Sequence, residues 1–282
     1  MVKIDTYKNS IVNDLFIKTA DQNYVVARWS FFHGLYRDFY WNALHACEKY
    51  MKASLLLNGK SAMKNSKGNY SHNILALFRE VSTYSPELLP NVLICPNKLY
   101  SRPWRNELLD SFVEKLRQHG DPNNRYAYFS IVKEGDHLFK LDGLVFLLRR
   151  LAVPLDQLYF ESEEFSSETN RVILQNDPLH MPHDIVRNLP RAQEGESQAD
   201  LFNALHRLNY AFERNSEDLT GKWPGMYSEN AALYRLVGDA FKNANIKKNP
   251  QKAAVIKWML ENIHFSRDVI GELNQAMQKF GN

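Results

Sequence analysis

The stretch Ala43-Leu44-His45-Ala46-Cys47-Glu48-Lys49-Tyr50-Met51-Lys52-Ala53-Ser54-Leu55 decides how this chain is read. Tyr40, Leu44, Cys47, Met51, Ser54 and Leu55 recur at three- and four-residue steps, which lays one apolar stripe along a helix. Working outward, Asn23 to Asn58 holds no proline and only Gly34 as an interior glycine, so it predicts one long helix or two joined near Gly34. Asn58-Gly59 supplies the stop. The opening stretch to about Asp21 carries no comparable period.

Beyond that core the chain keeps returning to helical spacing. Lys60 to Tyr70 reads as an exposed basic loop, and Ser71 as the cap of a helix over His72 to Tyr84 with Ile74, Leu75, Leu77, Phe78 and Val81 facing inward. Pro86, Pro90 and Pro96 keep the next segment irregular, a helix resumes after Pro103 to about His119, and Gly120-Asp121-Pro122-Asn123-Asn124 is a turn. Tyr126 to Val132 has the content of a short extended piece; Leu138 to Leu151 is again helical. Residues 159–197, with Pro178, Pro182 and Pro190 and no period, read as a connector over the bundle. A helix then starts near Ser197 with Leu201, Leu205, Leu208 and Phe212 on one face, followed by helical stretches at Ser228 to Ala244, Pro250 to Ile263 and Phe265 to Phe280. The expectation is an all-α chain: an antiparallel helical bundle over residues 1–158, an irregular connector over 159–197, and a C-terminal helical domain or extension over 198–282.

Composition narrows the chemistry. With 282 residues, 44% of them hydrophobic, the chain can bury one large core or two ordinary ones without disulfides or metals. A net charge of +3 leaves no global field for an acidic polymer, so any nucleic-acid affinity must come from a local patch. Cys47 and Cys95 stand in contexts that suit reduced, buried thiols. No secretory signal and no run near about 18 apolar residues occurs, which predicts a cytoplasmic chain without membrane spans.

Several segments together carry a family likeness: Tyr24-Val25-Val26-Ala27-Arg28, Gly34-Leu35-Tyr36, Glu48-Lys49-Tyr50-Met51-Lys52-Ala53, Leu55-Leu56-Leu57-Asn58-Gly59 and Ser71-His72-Asn73-Ile74-Leu75. In that order they resemble the HEPN domain, closely from Asp21 to Leu77 and loosely from Arg102 to Leu151, where Arg125-Tyr126-Ala127-Tyr128 is similar to the entry of its last helix. The resemblance implies a helical bundle that usually pairs as a homodimer. Its members include metal-independent ribonucleases, toxin partners of nucleotidyltransferases, and nucleotide or RNA binders without catalysis. Catalytic members carry Arg, four to six residues, then His on the last core helix. Here the only histidine between Arg125 and Leu151 is His137, with eleven residues between it and Arg125, so that spacing fails.

The one literal match is Arg28 to His33 on the first helix, the pair a metal-independent ribonuclease reading would use. Five residues turn a helix by about 140°, so the two do not stack on one face. The competing use sets Arg28 against a carboxylate and His33 at a helix surface. For binding, Lys67 and His72 stand near a helix N-terminus that favours anions, Arg125 and Tyr126 offer a cation beside a ring, and Lys49 and Lys52 flank Glu48 on one helix face. His180-Met181-Pro182-His183-Asp184 has donors but no preorganised companion cluster, so neither a metal nor a cofactor is expected. The leading expectation is a HEPN-like module that binds a nucleotide or RNA without cleaving it, in a stress, defence or toxin-antitoxin setting; the alternatives are the Arg28/His33 ribonuclease and a helical scaffold for a protein partner such as a nucleotidyltransferase.

Overall fold

A computed structural model describes every residue except 1–3, 66–67, 71–72, 101, 128–129, 162–163, 190–198, 230–231, 243–246, 264 and 282. The described chain is predominantly helical, with short two-stranded antiparallel pairs among the helices. It divides into two compact units, one made of Met1–Gly120 and Glu134–Gly225, the other of Asp121–Lys133 and Met226–Asn282.

In the first unit, α1 (Ile4–Val12) runs through a π turn, Asn13–Ile17, into α2 (Lys18–Phe32), and α3 (Tyr36–Leu57) returns beside it. The opening stretch, mixed in sequence, is therefore helical. Two glycines end these helices by one device. At Gly34 (φ 74°) the Leu35 N–H donates to Ser30 O and the Gly34 N–H to Phe31 O; at Gly59 (φ 71°) the Lys60 N–H donates to Leu55 O and the Gly59 N–H to Leu56 O. A positive φ costs glycine little, and the paired bonds satisfy carbonyls that a helix end leaves open. The α3 stripe of Tyr40, Leu44, Cys47, Met51 and Leu55 is wholly buried.

Around this hairpin pack α4 (Ile74–Tyr84), α5 (Leu109–His119), α6 (His137–Arg150) and α8 (Ala199–His206), while α7 (Asn170–Asn176) lies against the 3-10 turn Pro86–Leu88. The cap of α4 is Asn73, whose side chain accepts the Ala76 N–H; the Ser71 expected in that role lies outside the described residues. Helix α5 begins at Leu109, after a short strand pairing Glu107–Leu108 with Val92–Leu93.

The connector is more regular than its sequence suggests. It holds a hairpin of Leu158–Glu161 and Glu164–Thr169, then α7, then a 3-10 turn at Ile185–Asn188. Two adjacent arginines at the end of α6 fix it. Arg150 donates to the carbonyls of His180 (2.9 Å), Leu174 (2.6 Å) and Asp177 (2.8 Å), and Arg149 donates to the carbonyl of His183. Charged donors to buried carbonyls order a segment that has too few apolar residues to order itself.

Helix α8 buries Ala204 and Leu205 and packs on α2, so it belongs to the first unit. The second unit is α9 (Ala232–Lys242), α10 (Pro250–Asn262) and α11 (Arg267–Gly281), around a core that includes Val237, Ala240, Ile256, Val269, Leu273 and Phe280. Within it the strand Ile131–Lys133 pairs antiparallel with Tyr227–Glu229. Helix α10 starts with Pro250 in its first turn and Asn249 accepting the Lys252 N–H, where proline's missing donor is no loss.

Candidate functional site

Arg28 lies on the buried face of α2 and its guanidinium turns inward. One nitrogen pairs with Asp142 of α6, Nε donates to Ala204 O (2.7 Å), and another nitrogen donates to Arg207 O. The Tyr24 hydroxyl donates to the same Asp142 carboxylate (2.7 Å) and accepts from Asn209 Nδ2 (2.9 Å). Burial alone would drag the Arg28 pKa down, but Asp142 and Tyr24 more than reverse it and hold the arginine charged. Arg28 is thus the clasp joining α2, α6 and α8. The expected Arg28/His33 catalytic pair does not form a shared site, because one side chain enters the core and the other ends α2 in solvent.

His33 closes a different arrangement. Its Nδ1 lies 2.7 Å from Trp29 O. A carbonyl can only accept, so Nδ1 is the donor and Nε2 is the ring nitrogen left without that bond. The imidazole stacks on the Trp29 ring (centroids 4.0 Å, planes 24° apart), while the Arg207 guanidinium sits 4.5 Å from the centroid of the Phe32 ring. Trp29, Phe32 and His33 come from one end of α2; Asp200, Asn203, Ala204 and Arg207 come from α8 and the residue after it, and together they line a cavity of about 260 Å³.

Steps of three and four residues set Asp200, Asn203 and Arg207 on one helical face. Among the described residues none of these three side chains makes a hydrogen bond or an ion pair, and Arg207 touches only the Phe32 ring in a cation–π contact. Leu208 then takes a left-handed φ of 55° and turns the chain away, so Arg207 is the last side chain in that row. The result is a ledge: rings on one side, an unpaired carboxylate, amide and guanidinium on the other.

The other anticipated residues lie elsewhere. Lys49 Nζ donates to Asn23 Oδ1 (2.6 Å), and burial lowers its pKa; Lys52 Nζ pairs with Glu48 (2.6 Å). Lys49 thus ties α3 to α2, and Lys52 pairs within α3. Arg125 and Tyr126 fall in the 3-10 turn Pro122–Tyr126, in the second unit. Their side chains, like Lys67 and His72, lie outside the described residues.

Two further constellations occur in the first unit. A cleft of about 530 Å³ is lined by Asn9, Ser10 and Asn13 from the start of the chain, by His183, Asp184, Arg187 and Asn188 from the connector, and by an apolar floor that includes Ile17, Leu57 and Val153. Burial holds His183 below the usual histidine range, and Arg149 adds to the effect. Beneath lies a buried knot in which Arg149 pairs with Asp21 (2.8 Å), and Asn188 Nδ2 donates to the same carboxylate (2.6 Å). The second constellation brings Glu134, Asp136 and His137 together. Lys140 Nζ stands 3.0 Å from Asp136 and 2.8 Å from Glu107, and Lys115 Nζ is 2.7 Å from Glu107, so ammonium groups already supply the positive charge there. Its donor set does not call for a metal.

Sequence reasoning missed Asp200, Asn203 and Arg207. Their spacing opposite Leu201, Leu205 and Leu208 was visible, but the polar side of an amphipathic helix has the same appearance when it merely meets water.

Comparison with protein families, curated proteins and solved structures finds no match to this chain. Among the described residues no helix is long and apolar enough to cross a membrane.

Proposed function

We propose that this chain is a HEPN-like helical module that binds a nucleotide, free or within single-stranded RNA, on the His33 ledge and does not cleave it. The observation that carries this reading is the row Asp200, Asn203 and Arg207, all unpaired among the described residues, lining one cavity with Trp29, Phe32 and His33. A ring stack ending in an exposed imidazole can take one more aromatic ring, worth about 1–3 kcal/mol. An arginine at the end of the row suits a phosphate, and a charged hydrogen bond of that kind adds about 1.5–3 kcal/mol. Together they amount to about 2.5–6 kcal/mol, a dissociation constant of roughly tens of millimolar to tens of micromolar.

Calorimetric titration with nucleoside monophosphates and a short single-stranded RNA at moderate salt tests this. Binding that weakens about tenfold in Arg207→Ala supports the ledge. No measurable heat with any of these ligands retires the reading.

One observation favours a second reading. His33 is oriented by the Trp29 carbonyl with Nε2 left without that bond, as a general base is held. RNA cleavage in EDTA that disappears in His33→Ala would replace the binder with a metal-independent ribonuclease, in which Arg207 and not Arg28 supplies the cation.

A further inference from the structure

We infer that the base held on the ledge is guanine, an inference that rests on the binding reading above and adds its specificity. The decisive residue is Asp200. It is exposed, lines the cavity and has no partner among the described residues. An ionised carboxylate only accepts hydrogen bonds, so it selects a ligand edge that presents donors side by side. Guanine has such an edge, with N1–H next to the exocyclic N2–H₂. Adenine turns a lone pair at N1 toward the same carboxylate and is repelled.

Asn203, three residues on, stands about 5–6 Å from Asp200 between Cβ atoms. Its amide is also unpaired and can donate to O6, the acceptor that follows N1–H on the guanine edge. One turn further along the same face, Arg207 is placed for the phosphate. The rings add to the preference, because the outer face of His33 continues the stack with Trp29 and a two-ring base overlaps it more fully than a pyrimidine does. Three side chains along one face, at positions 200, 203 and 207, thus match, in order, a donor pair, an acceptor and an anion.

The test is a titration of the full chain with guanosine, inosine and adenosine 5′-monophosphates, read by calorimetry. Guanosine monophosphate should bind about tenfold or more tightly than adenosine monophosphate. Inosine monophosphate, which lacks the exocyclic amine, should fall between them. In Asp200→Asn, whose exposed position leaves the thermal unfolding curve in place, the gap between guanine and adenine should close to within about twofold. Equal affinity for the guanine and adenine nucleotides, or a guanine preference that survives in Asp200→Asn, overturns the base assignment and leaves the binding site standing. No binding of any of the three overturns the assignment together with the reading beneath it.

Discussion

Arg28 and Arg207 belong to the same junction of α2 and α8, and Arg28 even donates to the backbone carbonyl of Arg207, yet the two side chains have opposite fates. Arg28 is sealed in the core against Asp142, with every nitrogen given a nearby acceptor. Arg207 is exposed against a ring, without an acceptor among the described residues. The contrast teaches that a residue type names no role. A buried guanidinium must be fully paired to be tolerated, whereas an exposed one held in place by a ring keeps its hydrogen-bonding capacity for something that arrives from outside.

The comparison is most severely tested from its buried side. Arg28→Ala should lose about 3–5 kcal/mol of unfolding free energy by urea titration, because it strands Asp142 inside the bundle. A loss under about 1 kcal/mol would mean that the clasp is not structural.

Acid probes the interior next. His137 is almost wholly buried beside Tyr40 (2.6 Å), and burial lowers its pKa to about 3, with Asp136 only partly opposing. Below its ordinary value of about 6.5 the unfolded chain takes up a proton that the folded chain refuses until about 3, so stability falls as pH drops through that window and is flat above it. Between pH 7 and pH 4 the loss from this group should be about 3 kcal/mol. Urea midpoints for the wild type and His137→Gln at both pH values check it; identical acid sensitivity would sink the claim.

On the exposed side the effects should be smaller and of another kind. Arg207→Ala should weaken nucleotide binding by about 1.4 kcal/mol, or tenfold, while changing unfolding by no more than about 1 kcal/mol for the lost ring contact. A stability loss as large as that of Arg28→Ala would erase the distinction between the two arginines. Smallest of all, Lys52→Ala should cost about 0.3–0.5 kcal/mol of stability through its lost Glu48 pair and leave nucleotide affinity unchanged. A binding defect in that variant would return the site to the α3 face.

The contrast also marks how far the residues could be read without coordinates. The α2–α3 hairpin was legible because its stripe and its two stop glycines are local signals, each acting within a few residues. The inward turn of Arg28 was only half legible: the angle between positions 28 and 33 follows from helix geometry, but Asp142 lies far along the chain and no period announces it. The hairpin and short helix within the connector were not legible for a related reason. The connector's order comes from Arg149 and Arg150 reaching out of α6, while its own residues carry prolines and no repeat. The place of α8 depends on contacts with α2, which spacing within α8 cannot reveal.

The π turn at Asn13–Ile17 gives the first helix one surplus residue relative to an uninterrupted α-helical count. Removing a single position there, such as the exposed Leu15, would let the rod close into an unbroken spiral. Because the wide turn already absorbs that residue, the helix upstream would keep its phase; taking a residue from a regular turn instead would screw everything upstream round by about 100° and shift it by about 1.5 Å. In that second case Asn9 and Ser10 would swing off the rim they now form above Ile17 and Leu57, so the amide edge of the larger cleft is a phase effect, set by counting along the backbone as much as by which side chains are present.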